Sequence, residues 1–275
     1  MALFSKINTT TQFLQNTSWF KNKFLVNFGY VEDGPSSSDL NYSSTTAASK
    51  PVSPGDVNLK QYFKEVSNQY TLSSCVANAV ADSLEAQIAH RKGVDPSQVK
   101  DLSRLFIYYN ARNLDTPSCT NVDKGSRIRL AFDSVARYGV PNEETWAYDL
   151  TKVYQRPSIL AYREAIINKI YKFYRVYETG DNKVTQMKQA LFNGNPVVFG
   201  LPLADSFKYV NNDSPVTDPG GYSFSHALVA VGWNESNQSF LIRNSWGKEW
   251  GNVGYCSIDK NYIANVAKDV WVATF

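Results

Sequence analysis

Cys75 stands six residues after Gln69, directly behind two serines, at the head of a run that reads as a helix: Gln69-Tyr-Thr-Leu-Ser-Ser-Cys75-Val-Ala-Asn-Ala-Val-Ala-Asp-Ser-Leu-Glu85. Either Ser73 or Ser74 is a natural N-cap, which places Cys75 in the first turn. There the helix dipole and unpaired N–H groups favour thiolate over thiol. Only two histidines are present, His90 and His226. His90 falls near the far end of the Cys75 helix and is expected to be exposed, so His226 is the candidate base. Asn244 could accept from the imidazole and fix its tautomer. The Gln69 side-chain amide and the Cys75 N–H could receive an oxyanion. A thiolate, a base, a group that orients the base and a pair of oxyanion donors are the parts of acyl transfer through a thioester. No Cys/His spacing suits zinc, and the chemistry calls for no metal and no cofactor.

These residues need rigid elements to bring them together. Val76, Ala77, Val80, Leu84 and Ile88 recur at helical spacing, with polar Asn78, Asp82 and Glu85 between them. Leu102–Arg112 and Ser126–Tyr138 read as two more helices, the second stopped by Gly139. Ser158 caps another, with Ala165, Ile166 and Ile170 facing inward, and Lys183–Phe192 is a short one. The second half changes period. Strands are expected over Pro196–Pro202, His226–Trp233, Ser239–Asn244, Gly254–Ile258 and Val270–Thr274, with a turn at Asn234–Asn237. Helices first and antiparallel strands later indicate an α+β fold of two lobes with a cleft between them. Cys75 would come from the helical lobe, and His226 and Asn244 from the sheet lobe.

A chain of 275 residues has room for one large domain or two small ones. A net charge of +3 without a Lys/Arg patch gives no reason to expect a nucleic-acid partner. No apolar run is long enough for a membrane span, and the N-terminus lacks a signal-peptide pattern. Three scattered cysteines, Cys75, Cys119 and Cys256, make no disulfide framework. A Cys119–Cys256 bridge is open on sequence alone, but free thiols in a reducing, cytoplasmic setting are the expectation. Residues 1–33 form an N-terminal segment that could lie across the cleft as a latch, with 29–33 a short ordered stretch. Residues 34–56, rich in Ser, Thr, Pro and Gly, read as a linker, and 57–275 as the compact domain. The long 206–223 loop is expected to border the cleft. Oligomeric state is left open.

The chain resembles the papain-like cysteine peptidases, in their compact bacterial and phage-type branch. The resemblance rests on Gln69…Ser74-Cys75…Ala77-Asn78-Ala79, Leu102–Arg112, Asn195-Pro-Val-Val-Phe-Gly200, Ser225-His-Ala-Leu-Val-Ala-Val-Gly232 and Ile242-Arg-Asn-Ser-Trp-Gly-Lys-Glu-Trp-Gly251. It implies a papain-like two-lobe fold and hydrolysis of polypeptide substrates, with Cys75, His226, Asn244 and Gln69 as catalytic residues. It further implies that Trp246 covers the His226–Asn244 hydrogen bond and that Gly125 and Ser126 pair with an extended substrate strand. Ile128 and Ala227 would then lie near the pocket for the side chain two residues before the scissile bond, with an apolar preference. The chain departs from the family at Tyr70 and Ser73, where glycines are usual. It also departs at Val76, where an aromatic residue is common, and at Leu72, which replaces a disulfide cysteine with no partner cysteine near Asp123. The long helical inhibitory propeptide is not recognisable in 1–56. Two other readings stand beside a peptidase: a degenerate peptide-binding module, and a Cys-dependent isopeptidase or acyl-transfer enzyme.

Overall fold

The computed structural model describes residues 28–49, 55–211 and 214–274. Residues 1–27 of the N-terminal segment, 50–54 of the expected linker and 212–213 of the loop before His226 lie outside the described residues.

The fold is built around helix α1 (Cys75–Lys92), which ends at Gly93 in the left-handed conformation. From Cys75 through Gln87 every residue is buried, the polar Asn78, Asp82 and Glu85 included. Asp82 accepts from Arg243 Nε at 2.8 Å and from Arg104 Nη2 at 2.5 Å. Glu85 takes Arg104 Nη1 at 3.2 Å and the Leu102 N–H at 2.7 Å. Buried charges persist only where they are paired and hydrogen-bonded. Against the desolvation of its burial, Arg243 and Arg104 hold the Asp82 carboxyl below its ordinary value.

Around α1 lie α2 (Arg104–Asp115), whose N-cap Ser103 accepts from the Phe106 N–H, and α3 (Ile128–Tyr138), closed by Gly139. The short α4 (Ile159–Ala165) is capped by Ser158, as its position suggests. Ala165 and Ile170 are buried, but Ile166 is exposed. The helix stops at Ala165, so Ile166 falls beyond the inward face that a longer helix would have given it.

The other lobe is a sheet of β1 (Leu40–Asn41), β2 (Val57–Asn58), β3 (Lys172–Val176), β4 (Val197–Leu203), β5 (Phe224–Asn234), β6 (Ser239–Arg243), β7 (Tyr255–Asp259) and β8 (Lys268–Thr274). Among the described residues its order is β1-β3-β8-β4-β5-β6-β7, with β2 also on β5. Helices α5 (Gly180–Phe192) and α6 (Lys260–Val266) complete the fold. Strands β4 and β5 pair antiparallel with Leu201 opposite His226. The α1 helix packs against β5, and Arg243 of β6 reaches back to Asp82, so the two lobes are tied through a buried ion pair. Part of the expected linker is built into the sheet. Leu40–Asn41 pairs with β3, and Tyr42 is fully buried with its ring edge-on to Tyr174. One large aromatic side chain supplies burial that the polar composition around it does not suggest.

Candidate active site

Cys75 is the first residue of α1, and Ser74 is its N-cap by position. Yet the Ser74 hydroxyl makes no capping bond, because it shares a 2.5 Å hydrogen bond with the Tyr148 hydroxyl and accepts from Asn78 Nδ2. Burial pushes the Cys75 thiol up to about 11, opposed by hydrogen bonds from the Ala227, Gly29, Val76 and Cys75 N–H groups to its sulfur. The helix start therefore does offer donors to the sulfur, as expected, but in this enclosed state desolvation outweighs them and the thiol is the favoured form.

His226 enters from β5. Its Nε2–H donates to Asn244 Oδ1 at 2.7 Å, and Oδ1 also accepts from the Ser245 N–H at 2.8 Å. With the proton on Nε2, Nδ1 is left as the acceptor nitrogen, and it is buried without a hydrogen-bond partner among the described residues. Burial pulls the imidazole down to about 4, with the Asn244 hydrogen bond opposing. The Trp246 ring lies over the imidazole at a centroid distance of 4.8 Å, itself flanked by Phe207 and Trp250. The Ala227 N–H, in the residue after His226, lies against the Cys75 sulfur where the head of α1 packs on β5.

Gln69 is fully buried. Its Nε2 donates to the Leu72 carbonyl at 2.9 Å, and its Oε1 accepts from Ser245 Oγ at 2.7 Å. A continuous hydrogen-bonded path thus runs from Gln69 through Ser245 and Asn244 to His226, whose neighbour Ala227 lies against Cys75. All four expected catalytic residues are brought together.

The two departures from the usual glycines have separate solutions. Tyr70 takes φ 51, in the left-handed region glycine favours, and projects its side chain outward, 56% exposed. A residue with a Cβ holds that angle only under strain. Ser73 is buried, and its N–H donates to both Asp123 carboxylate oxygens at 3.0 and 3.2 Å. Asp123 Oδ1 also accepts from the Tyr108 hydroxyl at 2.5 Å, and that hydroxyl accepts from the Gly125 N–H at 3.0 Å. A carboxylate clamp therefore joins the two loops that the resemblance would join by a disulfide. Tyr108, Asp123 and Tyr148 were not expected at the site. The missing cysteine partner near Asp123 was the one signal in the sequence that pointed there.

Of Gly125 and Ser126, the two residues expected to pair with a substrate strand, Ser126 is paired with the chain itself, and the Gly125 N–H is on Tyr108. The Ser126 N–H donates to the Gly29 carbonyl at 2.8 Å, and the Val31 N–H to the Ser126 carbonyl at 3.0 Å. Gly29 passes so close to the head of α1 that a Cβ there would lie 1.7 Å from the Ser73 carbonyl oxygen. Phe28 stacks on Phe224 with ring centroids 3.7 Å apart and meets Trp246 edge-on. Lys208 Nζ sits 5.3 Å from the Phe28 and Phe224 ring centres, which places part of the expected cleft-bordering loop at the occupied cleft. Ile128, at the head of α3, and Ala227, in β5, are both buried.

His90 is half-buried rather than exposed, because its ring packs edge-on against Tyr62 and lies beneath Gly194. Cys119 and Cys256 are buried and unpaired. Among the described residues, no helix is long and apolar enough to cross a membrane.

The profile of the papain family cysteine proteases matches residues 53–274. A peptidase C1-like protein of Acanthamoeba polyphaga mimivirus is 35% identical, over 90% of this chain and 86% of its own. Xylellain, a cysteine protease from Xylella fastidiosa, superposes with a TM-score of 0.76 at 31% identity, over 90% of this chain and 95% of the other. Digestive procathepsin L 3 of Tenebrio molitor larval midgut, at 18% identity and a TM-score of 0.70, shares the fold over 100% of this chain and 84% of its own. With the profile spanning most of the sequence, the chain belongs to the papain family of cysteine proteases and is a cysteine-type peptidase.

Proposed function

We propose that Cys75 is the nucleophile of this peptidase, His226 its base and then its acid, Asn244 the residue that orients the imidazole, and Gln69 the side-chain oxyanion donor. One observation carries the reading. The 2.7 Å Nε2–H···Oδ1 bond beneath Trp246 leaves Nδ1 deprotonated and, among the described residues, without a hydrogen-bond partner, the state a base requires. His226 takes the thiol proton, and the sulfur attacks the peptide carbonyl carbon. The resulting oxyanion is received by the Cys75 N–H and the Gln69 amide. Collapse breaks the C–N bond, and the imidazolium gives its proton to the leaving amine, leaving a thioester on Cys75. His226 then deprotonates a water that attacks the thioester, which releases the acid and restores the thiol.

The form described is a closed one. Phe28–Asp33 takes the edge of Ser126 with which a substrate strand would pair, so residues 57–275 act as the peptidase domain and the preceding segment as its latch. The latch adds a strand to an existing edge, the same device that extended peptides use. The branch is the compact bacterial and phage-type one, a reading supported by the 95% coverage of xylellain. Three unpaired cysteines support a reducing, cytoplasmic setting. Hydrolysis of a mixed peptide library should disappear in Cys75→Ala and in His226→Ala while both variants keep the wild-type circular dichroism. Undiminished cleavage by folded Cys75→Ala would overturn the assignment.

A further inference from the structure

Tyr30 is the latch residue that lies opposite Ser126, between the hydrogen bonds made by Gly29 and Val31. Its ring runs toward the sheet lobe and lies against Gly200 of β4. A Cβ at position 200 would sit 2.1 Å from the ring's Cζ and 2.5 Å from both Cε atoms, so the space exists because that residue is glycine. At the tip of the ring the hydroxyl donates to Asp269 Oδ2 at 2.5 Å.

Asp269 does not reach this point from a regular strand. Its backbone has φ 47, a left-handed angle on a residue other than glycine, and the β4–β8 register shifts between Val198 and Gly200. Irregularities of this kind re-aim a side chain, and strain is retained where something depends on it. Here the shift turns a buried carboxylate toward the space that Gly200 leaves open. The other carboxylate oxygen, Oδ1, already accepts from Arg175 Nη2 on β3. Among the described residues Oδ2 accepts from the latch, through the Tyr30 hydroxyl and the Asp33 N–H, both at 2.5 Å.

We propose that the pocket between Gly200 and Asp269 is a specificity subsite that selects a tyrosine side chain in the substrate, with Tyr30 its built-in occupant. The inference rests on the reading of the Ser126 edge as the place where substrate pairs. It replaces the apolar preference expected from Ile128 and Ala227. The charge of Asp269 is met by Arg175, so a neutral hydroxyl donor suits Oδ2, whereas a second guanidinium or ammonium would be brought beside Arg175. A phenylalanine or leucine fills the space but leaves a buried carboxylate oxygen short of a donor, and sites built to bond a hydroxyl reject analogues that lack it.

The test is a positional-scanning set of fluorogenic peptides that differ only in Tyr, Phe, Leu or Arg at one position. At one position, wild type should cleave the Tyr peptide with kcat/KM about 10- to 100-fold above Phe, and above Leu and Arg, on the usual strength of a hydrogen bond to a charged group. Asp269→Asn should bring the Tyr/Phe ratio toward one while the Phe peptide is still cut. In the full chain, Tyr30→Phe should raise the basal rate about 10-fold through loss of the latch's hydroxyl contact, which keeps the inference testable should Asp269→Asn fail to fold. Equal cleavage of Tyr and Phe at every position, preference for Arg, or a Tyr/Phe ratio unchanged in folded Asp269→Asn would overturn it. Those results with cleavage still lost in Cys75→Ala would sink the subsite alone. Cleavage that survives Cys75→Ala, or none of any peptide, would sink the reading beneath it as well.

Discussion

Substituting one methyl group for a hydrogen at Gly29 should switch this peptidase on. The Cβ of Gly29→Ala would lie 1.7 Å from the Ser73 carbonyl oxygen and 2.2 Å from its carbon, both backbone atoms at the head of α1. Either the latch lifts or the helix start moves. Lifting gives up at least the two hydrogen bonds to Ser126 and the Phe28–Phe224 stack, before the Tyr30 and Asp33 bonds to Asp269 are counted. At about 1 kcal/mol for each hydrogen bond and about 1 for the aromatic pair, the closed state loses about 3 kcal/mol. That is about a hundredfold shift toward the open state. The assay is the initial rate of peptide hydrolysis at equal active-site titre, with intact mass followed in parallel so that any loss of the N-terminal segment is seen. Gly29→Ala should begin at an elevated rate while still full length, and wild type should start slowly. An initial rate equal to wild type, with the mass unchanged in both, would refute the latch. A lower rate that removal of residues 1–33 does not restore would show that Ser73 and Cys75 yielded instead.

Three further outcomes follow from the geometry. His226 should stay neutral in the closed chain to a midpoint near pH 4, read by imidazole NMR on Cys75→Ala; a midpoint above about 5.5 would contradict the burial that lowers it. Because the folded value lies below the ordinary 6.5, the stability that this group lends the closed form is full above 6.5 and lost as pH falls through about 4. Arg243→Met leaves Asp82 charged in the lobe interface with one partner fewer, and urea unfolding should show a loss of about 3–5 kcal/mol; a loss below about 1 would mean that Arg104 suffices. Asp123→Ala removes the acceptor of the Ser73 N–H and the Tyr108 hydroxyl, and should cost about 1–3 kcal/mol in stability and raise KM by loosening the cleft edge. An unchanged melting temperature and KM would show the clamp to be idle.

Much of the fold could be read in order along the chain, because helix and strand periods are local. The helices led by Cys75, Ser103 and Ser158, and the strands around His226 and Asn244, lie within a few residues of where spacing places them. Ile166 was misread because periodicity carries past a helix end that only packing sets. The burial of the polar residues of α1 is not legible in sequence for a related reason. Asp82 looks like a solvent-facing position until Arg104 and Arg243, distant in sequence, are found against it.

The residues proposed as nucleophile, base, orienting amide and oxyanion donor are legible in sequence, since each chemical role admits few side chains and their order along the chain is distinctive. Three other features depend on contacts between residues far apart. The Asp123 clamp has no motif, only a cysteine missing from its expected place. The latch depends on Gly29 fitting against Ser73, and its Tyr30–Asp269 contact spans 239 residues. The thiol at Cys75 and the neutral imidazole at His226 follow from their burial, and burial is a property of the packed chain. Sequence alone determined which groups can do the chemistry. Tertiary structure decided their state and the pocket beside them, because desolvation and close approach arise only once distant segments meet.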